Sequence, residues 1–338
     1  MSVRATPRMS RRRVLALGAA VAAVALVVLT SLALGSRGIA PDTVLRALFS
    51  SGGGYDAAVV LTDRLPRTVL GLLIGAALGA AGAVMQGLTR NPLADPGILG
   101  VQHGAACGVV FGLLFLGVTD LTGYFWLALA GSAVATLLVY GVANRANATD
   151  AGLSLVLAGA ALSALFASVL TLVLVRDQTL YAHYRFWTVG QLTGRADVLA
   201  ELSLLAAPGL VAALFAGRYL DILTLGDDAA RGLGVHPGRA RWAIAAIGVY
   251  LCAVATAGTG PIAFVGLIGA HLARLLAGPG YRWLVPLSMA CGAVVLLGAD
   301  TVGRLAPGNG EIEAGITAAV VGAPFFLVLA KTRRAVRL

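Results

Sequence analysis

Lysine is almost absent from this 338-residue chain: Lys331, close to the C-terminus, is the only one. No glycine loop precedes it. The chain therefore carries no Walker A phosphate loop, which needs a lysine directly after such a loop. Charge of either sign is scarce, at 12% of residues against 59% hydrophobic. That balance excludes an ordinary soluble domain and places the chain in the membrane class. The three cysteines, Cys107, Cys252 and Cys291, lie within or beside apolar runs. They read as small buried residues, not as a disulfide or metal set. His103, His183, His236 and His271 are scattered over different segments and read as capping or packing residues. Asp300, Glu311 and Glu313 stand isolated in sequence. No nucleophile–base set and no spacing such as HExxH is present, so an enzyme reading lacks support. The net charge of +10 could suggest nucleic acid. However, the basic residues sit at the ends of apolar runs, as in a membrane protein that binds none.

What the chain does have is glycine, 44 residues of it, and long apolar runs. The first, Val14–Ser36, follows Ser10-Arg11-Arg12-Arg13. It is too long for a typical signal peptide and long enough to span a bilayer, with a cleaved signal as the alternative. Further runs are Thr68–Thr89, Ile98–Thr119, Leu121–Asn144, Ala151–Val175 and Leu202–Gly217. Trp242–Ala273 is interrupted at Gly258-Thr259-Gly260-Pro261 and should form two helices. Trp283–Ala299 and Ala314–Ala330 complete the set. The expected fold is an all-α membrane protein of ten transmembrane helices in one domain, 1–338. Its parts would be a cytoplasmic start (1–13), helices 1–6 (14–217), a cytoplasmic segment (218–241), helices 7–10 (242–330) and a cytoplasmic tail (331–338). Of 25 Lys and Arg residues, 17 fall on the side of the termini and 8 on the other, which predicts both termini inside. Five helices per half make the halves inverted, with a pathway expected at their interface.

Three groups of residues stand out. Gly71, Gly75 and Gly79 repeat at GxxxG spacing, which lets another helix approach closely. Asn91-Pro92-Leu93-Ala94-Asp95-Pro96-Gly97 ends a helix and reverses the chain. It reads as a gate-forming turn at the mouth of a pathway or as an ordinary loop. In Arg218–Arg241, Asp227 and Asp228 suit the first turn of a short helix, Gly234 can end it, and Pro237 can open a second. Two short helices exposing Ala229, Ala230 and Leu233 would make a knob for a cytoplasmic partner, or merely a solvated connector. Arg64, Arg67 and Arg304 are expected on the outer side, exposed to carboxylates of an external partner or to lipid headgroups.

Several segments resemble the permease subunits of type II ABC importers, the FecCD/BtuC-like family that takes up iron–siderophore complexes, haem and vitamin B12. They are RLPR at Arg64–Arg67, GAVMQGLTRNPLADPGILGVQHGA from Gly82, and FWTVGQLTG at Phe186–Gly194. LGDDAARGLGV at Leu225–Val235, GPIAFVGLIGAHLARLL at Gly260–Leu276 and GAPFFLVL at Gly322–Leu329 complete the pattern. The resemblance implies a permease paired with a second copy or a paralogue in the bacterial cytoplasmic membrane. It implies two separate ATPase subunits that bind ATP and Mg, an extracytoplasmic substrate-binding protein, and no cofactor on this chain. Gly226, Asp227, Asp228, Ala229, Arg231, Gly232, Leu233 and Gly234 would enter the ATPase cleft. Arg64, Arg67 and Arg304 would receive glutamates of the binding protein. Asn91, Pro92 and Leu93 would form the cytoplasmic gate, and Gly152–Ser154 a second gate element. The expected cargo is a ferric-siderophore-type chelate, with vitamin B12 or haem as alternatives.

Two departures are visible. Ala270 stands where the family has proline, and Ile312-Glu313-Ala314-Gly315 replaces its Leu-Pro-x-Gly turn. The extra carboxylate is expected near Arg304. An ion-coupled secondary transporter, the rival class, would need carboxylates or histidines inside the membrane, and the spans are read as offering almost none.

Overall fold

The structure, a computed structural model, describes residues 7–49, 54–97, 100–118, 120–145, 151–306 and 310–331. Among them every regular element is helical. In order these are α1 (Pro7–Ala33), α2 (Pro41–Phe49), α3 (Tyr55–Val59), a π-helical turn (Val60–Arg64) and α4 (Leu65–Thr89). Next come α5 (Val101–Leu116), α6 (Leu121–Arg145), α7 (Ala151–Arg176), α8 (Gln178–Thr188) and α9 (Leu199–Thr224). The rest are α10 (Asp227–Gly232), α11 (Pro237–Thr259), α12 (Val265–Ala277), α13 (Tyr281–Arg304) and α14 (Ala314–Lys331).

Each apolar run of the sequence falls in its own helix. Only seven described helical stretches are long and apolar enough to cross a membrane alone, and α5, α12 and α14 are shorter. The break at Gly260 explains the shortness of α12. Its 13 residues rise about 20 Å, less than the roughly 30 Å of hydrocarbon. The chain before it runs irregularly within the protein, and its polar groups find partners there. Gln102 Nε2 donates to the Ile262 carbonyl at 2.7 Å, and the Gln191 N–H to that of Thr259 at 2.9 Å. Non-helical backbone is tolerated at depth only when satisfied in this way. Gly260 has φ +82°, and a Cβ there would overlap the Trp187 carbonyl oxygen.

The centre of the bundle is the α4–α13 pair, the most extensive helix contact. A Cβ on Gly75 would lie 2.6 Å from Ala293 Cα, and one on Gly79 would overlap the Ser288 carbonyl oxygen. Gly71 faces the Leu297 side chain instead. Gly82 meets Gly266 of α12, so α12 closes on the same surface. The GxxxG spacing thus brings backbone against backbone, where dispersion is greatest without a hydrophobic drive. In contrast, α1, α7, α9 and α14 carry exposed apolar side chains such as Val14, Leu172, Phe215 and Val320, as a lipid-facing ring would.

Besides the short helices α3 and α8, two features escape the apolar-run reading. One is α2, with Pro41 and Asp42 in its first turn and Val44 and Ala47 buried. The other is the π-helical turn before α4. There the Leu65 N–H bonds to the Val60 carbonyl, five residues back, just ahead of Pro66, which has no N–H to continue the ladder.

Candidate functional sites

At one end of the bundle the last turn of α13 meets α4 and the end of α1. Arg67 Nε lies 3.0 Å and 3.1 Å from the two Asp300 oxygens, and its Nη2 is 2.8 Å from Oδ1. Its Nη1 donates to Glu311 at 2.7 Å. Arg304 Nε lies 3.2 Å from Asp300 Oδ2, and its outer nitrogens donate to the Ser31 and Leu34 carbonyls and to the Ser31 hydroxyl. Arg64 donates to the carbonyls of Leu32, Ala33 and Arg37. Arg64 and Arg304 therefore cap the C-terminus of α1, whose last carbonyls have no partners within the helix.

The exposure expected of Arg64, Arg67 and Arg304 is corrected: each is only 5% exposed in this chain. Guanidinium groups are retained here because carbonyls and carboxylates take most of their donors. Asp300, expected to stand isolated, is 0% exposed and central to the cluster. Nor are the spans poor in buried charge, since Arg274 of α12 is buried as well. The carboxylate of the altered turn does not reach Arg304. Glu313 accepts from Gln191 Nε2 at 3.3 Å, and its neighbour Glu311 takes Arg67. Burial raises the Glu313 carboxyl above its usual range, against the opposing charge of Arg67. A cleft of about 110 Å³ opens beside the cluster, lined by Arg37, Asp56, Asp63, Arg64, Arg304 and Glu311 among others. The exposed cation there is Arg37, paired with Asp56 at 3.5 Å.

At the other end, α10 stands out from the bundle. Gly226 enters it at φ +98°, Asp227 and Asp228 occupy its first turn, and Gly234 leaves it at φ +77°. The Val235 N–H bonds back to Ala230 and that of Gly234 to Arg231, which ties off the open carbonyls of this short helix. Asp227 pairs with Arg241 at 2.6 Å, both half-exposed, and Asp228 with Arg231 at 2.9 Å, both well exposed. The hydrogen bonds from Arg241 hold the Asp227 carboxyl below its usual range. Ala229, Arg231, Gly232 and Leu233 are exposed, with Leu233 at 60%. Two expectations need correction. Ala230 is fully buried, because it faces the bundle and anchors α10. Pro237 opens no separate short helix, since α11 runs unbroken from Pro237 to Thr259. His236 caps it, accepting from the Arg239 N–H at 3.5 Å.

The Asn91–Gly97 turn lies at this same end. Arg90 ends α4 in the left-handed region at φ 51°, and its guanidinium donates to the Leu223 carbonyl of α9 at 3.1 Å. Asn91 Oδ1 accepts from the Leu93 N–H at 2.9 Å, and Asp95 Oδ1 from that of Gly97 at 2.8 Å. Asn91, Pro92 and Leu93 are half-buried, while Asp95 is buried. Ser154 donates to the Ala143 carbonyl at 3.1 Å. The side chains of Gly152, Leu153 and His183 lie outside the described set. The structure also supplies a residue that sequence reasoning missed, Asp221, whose carboxylate holds the first turn of α13. Its only signal in the sequence is a lone acid near the end of an apolar helix.

A glycine-welded helical core, an apolar rim, one buried ionic end and one exposed helical knob define a multi-pass membrane protein. The chain belongs to the FecCD transport family, whose profile it matches over residues 23–332. It is 40% identical over 309 residues to the ferric enterobactin transport system permease protein FepD of Escherichia coli, covering 90% of this chain and 91% of that one. It is 38% identical over 277 residues to the cobalamin import system permease protein BtuC of Halobacterium salinarum, covering 81% and 74%. Its fold matches a solved metal-chelate-type ABC transporter in an inward-facing conformation, with a TM-score of 0.78 and 28% identity over 95% of this chain and 99% of that one.

Proposed function

We propose that this chain is the transmembrane permease subunit of an ATP-driven importer that carries a ferric-siderophore-type chelate across the bacterial cytoplasmic membrane. The observation that carries this reading is the near-full-length similarity to importer permeases, among them one for ferric enterobactin. In this reading the chain is one domain of ten crossings in two inverted halves, with both termini cytoplasmic. It pairs with a second permease, identical or paralogous. Two ATPase subunits bind ATP and Mg and receive α10, and the chain itself holds no cofactor. Nucleotide-driven closure of the ATPases would move α10 and switch the open side of the pathway. Asn91, Pro92 and Leu93 would close it on the cytoplasmic side. The binding protein would dock over the Arg64–Arg67–Arg304 end, where the cleft lets an incoming carboxylate approach Arg64 and Arg304.

Purification of the tagged chain from native membranes should bring down an ABC ATPase in stoichiometric amount, and its consistent absence would reject the reading. For the cargo, cells lacking the chain should lose uptake of radiolabelled iron supplied as a siderophore and keep cobalamin uptake. The reverse pattern would assign vitamin B12, the cargo named for another relative. A buried acid such as Asp300 would suit an ion-coupled carrier. Against that use, both of its oxygens are already held by arginines.

A further inference from the structure

The helix α13 joins the two ends of the bundle. Its first turn is capped from another helix: Asp221 of α9 accepts from the Tyr281 N–H at 2.6 Å and from the Arg282 N–H at 3.1 Å. Gly280, at the cap position itself, has no side chain to do this. A helix start leaves N–H groups without partners, and a carboxylate there gains both hydrogen bonds and the favourable end of the helix dipole. Asp221 lies one turn before α9 ends at Thr224, and α10 begins at Asp227. The junction is tight. A Cβ on Gly217 would sit 2.7 Å from the Tyr281 carbonyl oxygen, and one on Gly87 2.7 Å from the Tyr281 ring.

At its far end α13 carries Asp300 and Arg304, which hold Arg67 of α4 and the end of α1. Its 24 residues make a rod of about 36 Å, long enough to reach from one face of a membrane to the other. Glycine contacts lock it to α4 along its middle, so a push on its first turn is carried as a movement of the pair and not absorbed by sliding.

We propose that Asp221 is a positioning residue that ties α10 to α13, so that displacement of α10 is delivered through α13 to the Asp300–Arg304 end. This rests on the reading of α10 as the element that meets the ATPase. The test uses the chain with its copurified ATPase in lipid nanodiscs. An environment-sensitive fluorophore is placed at Leu233→Cys or at Val302→Cys. Both positions are exposed, and the three native cysteines are buried. Addition of a non-hydrolysable ATP analogue should change both signals.

In Asp221→Ala the Leu233 signal should persist while the Val302 signal falls about fivefold, the weight of one capping side chain. Asp221→Asn keeps one acceptor oxygen and should give a smaller fall. It also carries the test if the alanine variant does not assemble. An undiminished Val302 response in whichever variant assembles overturns the proposal. So does a native protein in which Leu233 responds and Val302 does not. A silent Leu233 label in the native protein overturns the reading of α10 instead, and the proposal falls with it.

Discussion

At one end of the bundle Arg67 meets Asp300 at 2.8 Å with side-chain exposures of 5% and 0%. At the other, Arg241 meets Asp227 at 2.6 Å with exposures of 40% and 39%. The two pairs have the same chemistry and similar lengths, but their surroundings differ. Asp300 is fully buried, so water does not readily replace a lost partner there and each charge depends on the others. Around Asp227 water and salt can replace Arg241 at little cost. The buried cluster fixes where α1, α4 and α13 end. The exposed pairs leave α10 free to meet another surface. One end is held by burial, the other stands exposed.

The largest effect should come from removing the centre of the buried cluster. Asp300→Ala leaves Arg67 and Arg304 buried without their shared carboxylate, at a cost of about 3–5 kcal/mol. Thermal unfolding in detergent should show a large loss of stability or no monodisperse protein, and a native-like melt would break the comparison. Asp300→Leu with Arg67→Met, which removes two of the three charges and leaves Arg304 to its carbonyl partners, should recover part of the loss, since apolar isosteres often substitute well for buried pairs.

Next is the helix contact that carries the cluster. Gly79→Val puts a side chain against the Ser288 carbonyl and should cost about 1–3 kcal/mol by overpacking. Gly232→Val, where the same addition meets open space, should be far milder in the same melt. Salt should separate the ends further. Between low and molar salt, amide exchange in α10 should speed up while that in the last turn of α13 stays constant, because only the exposed pairs are screened. Equal salt sensitivity at both ends would refute the assigned difference in burial.

The smallest stability effect should be that of Asp227→Asn, with a melt close to the native one, while ATPase stimulation falls if α10 is the coupling element. A pH arm sharpens this. The Asp227 carboxyl is held below its usual value by Arg241. Its stabilising contribution is therefore present above the unfolded carboxylate pKa of about 3.9 and lost as pH falls through the lower folded value. Exchange in α10 should rise only under acid conditions, and Arg241→Gln should remove that step. A step near neutral pH would point to another group.

Much of the fold was legible because lipid imposes a simple code. Long uncharged runs give helices, proline and glycine end them, and small residues at every fourth position mark close packing. Gly75 and Gly79 could be read that way, and so could the Gly226–Gly234 boundaries of α10. The arginines could not. A cation beside an apolar run looks the same whether it faces water or caps a neighbouring helix. Only the folded position of Ser31 and Leu32 shows that Arg304 and Arg64 serve α1. Asp300 carried a hint, an acid four residues before an arginine inside a span, where an unpaired charge is costly. Asp221 carried almost none, since its partners are backbone groups 60 and 61 residues away.

The sequence by itself determined that this chain is a membrane protein without a phosphate loop, where its long apolar helices lie, and which helix face is small enough to pack. These follow from composition and local spacing, which act along the chain. Tertiary structure decided which charges are buried, which carboxylate each arginine holds, and that α13 is gripped at both ends. Those outcomes depend on groups far apart in sequence meeting where burial makes an unpaired charge costly.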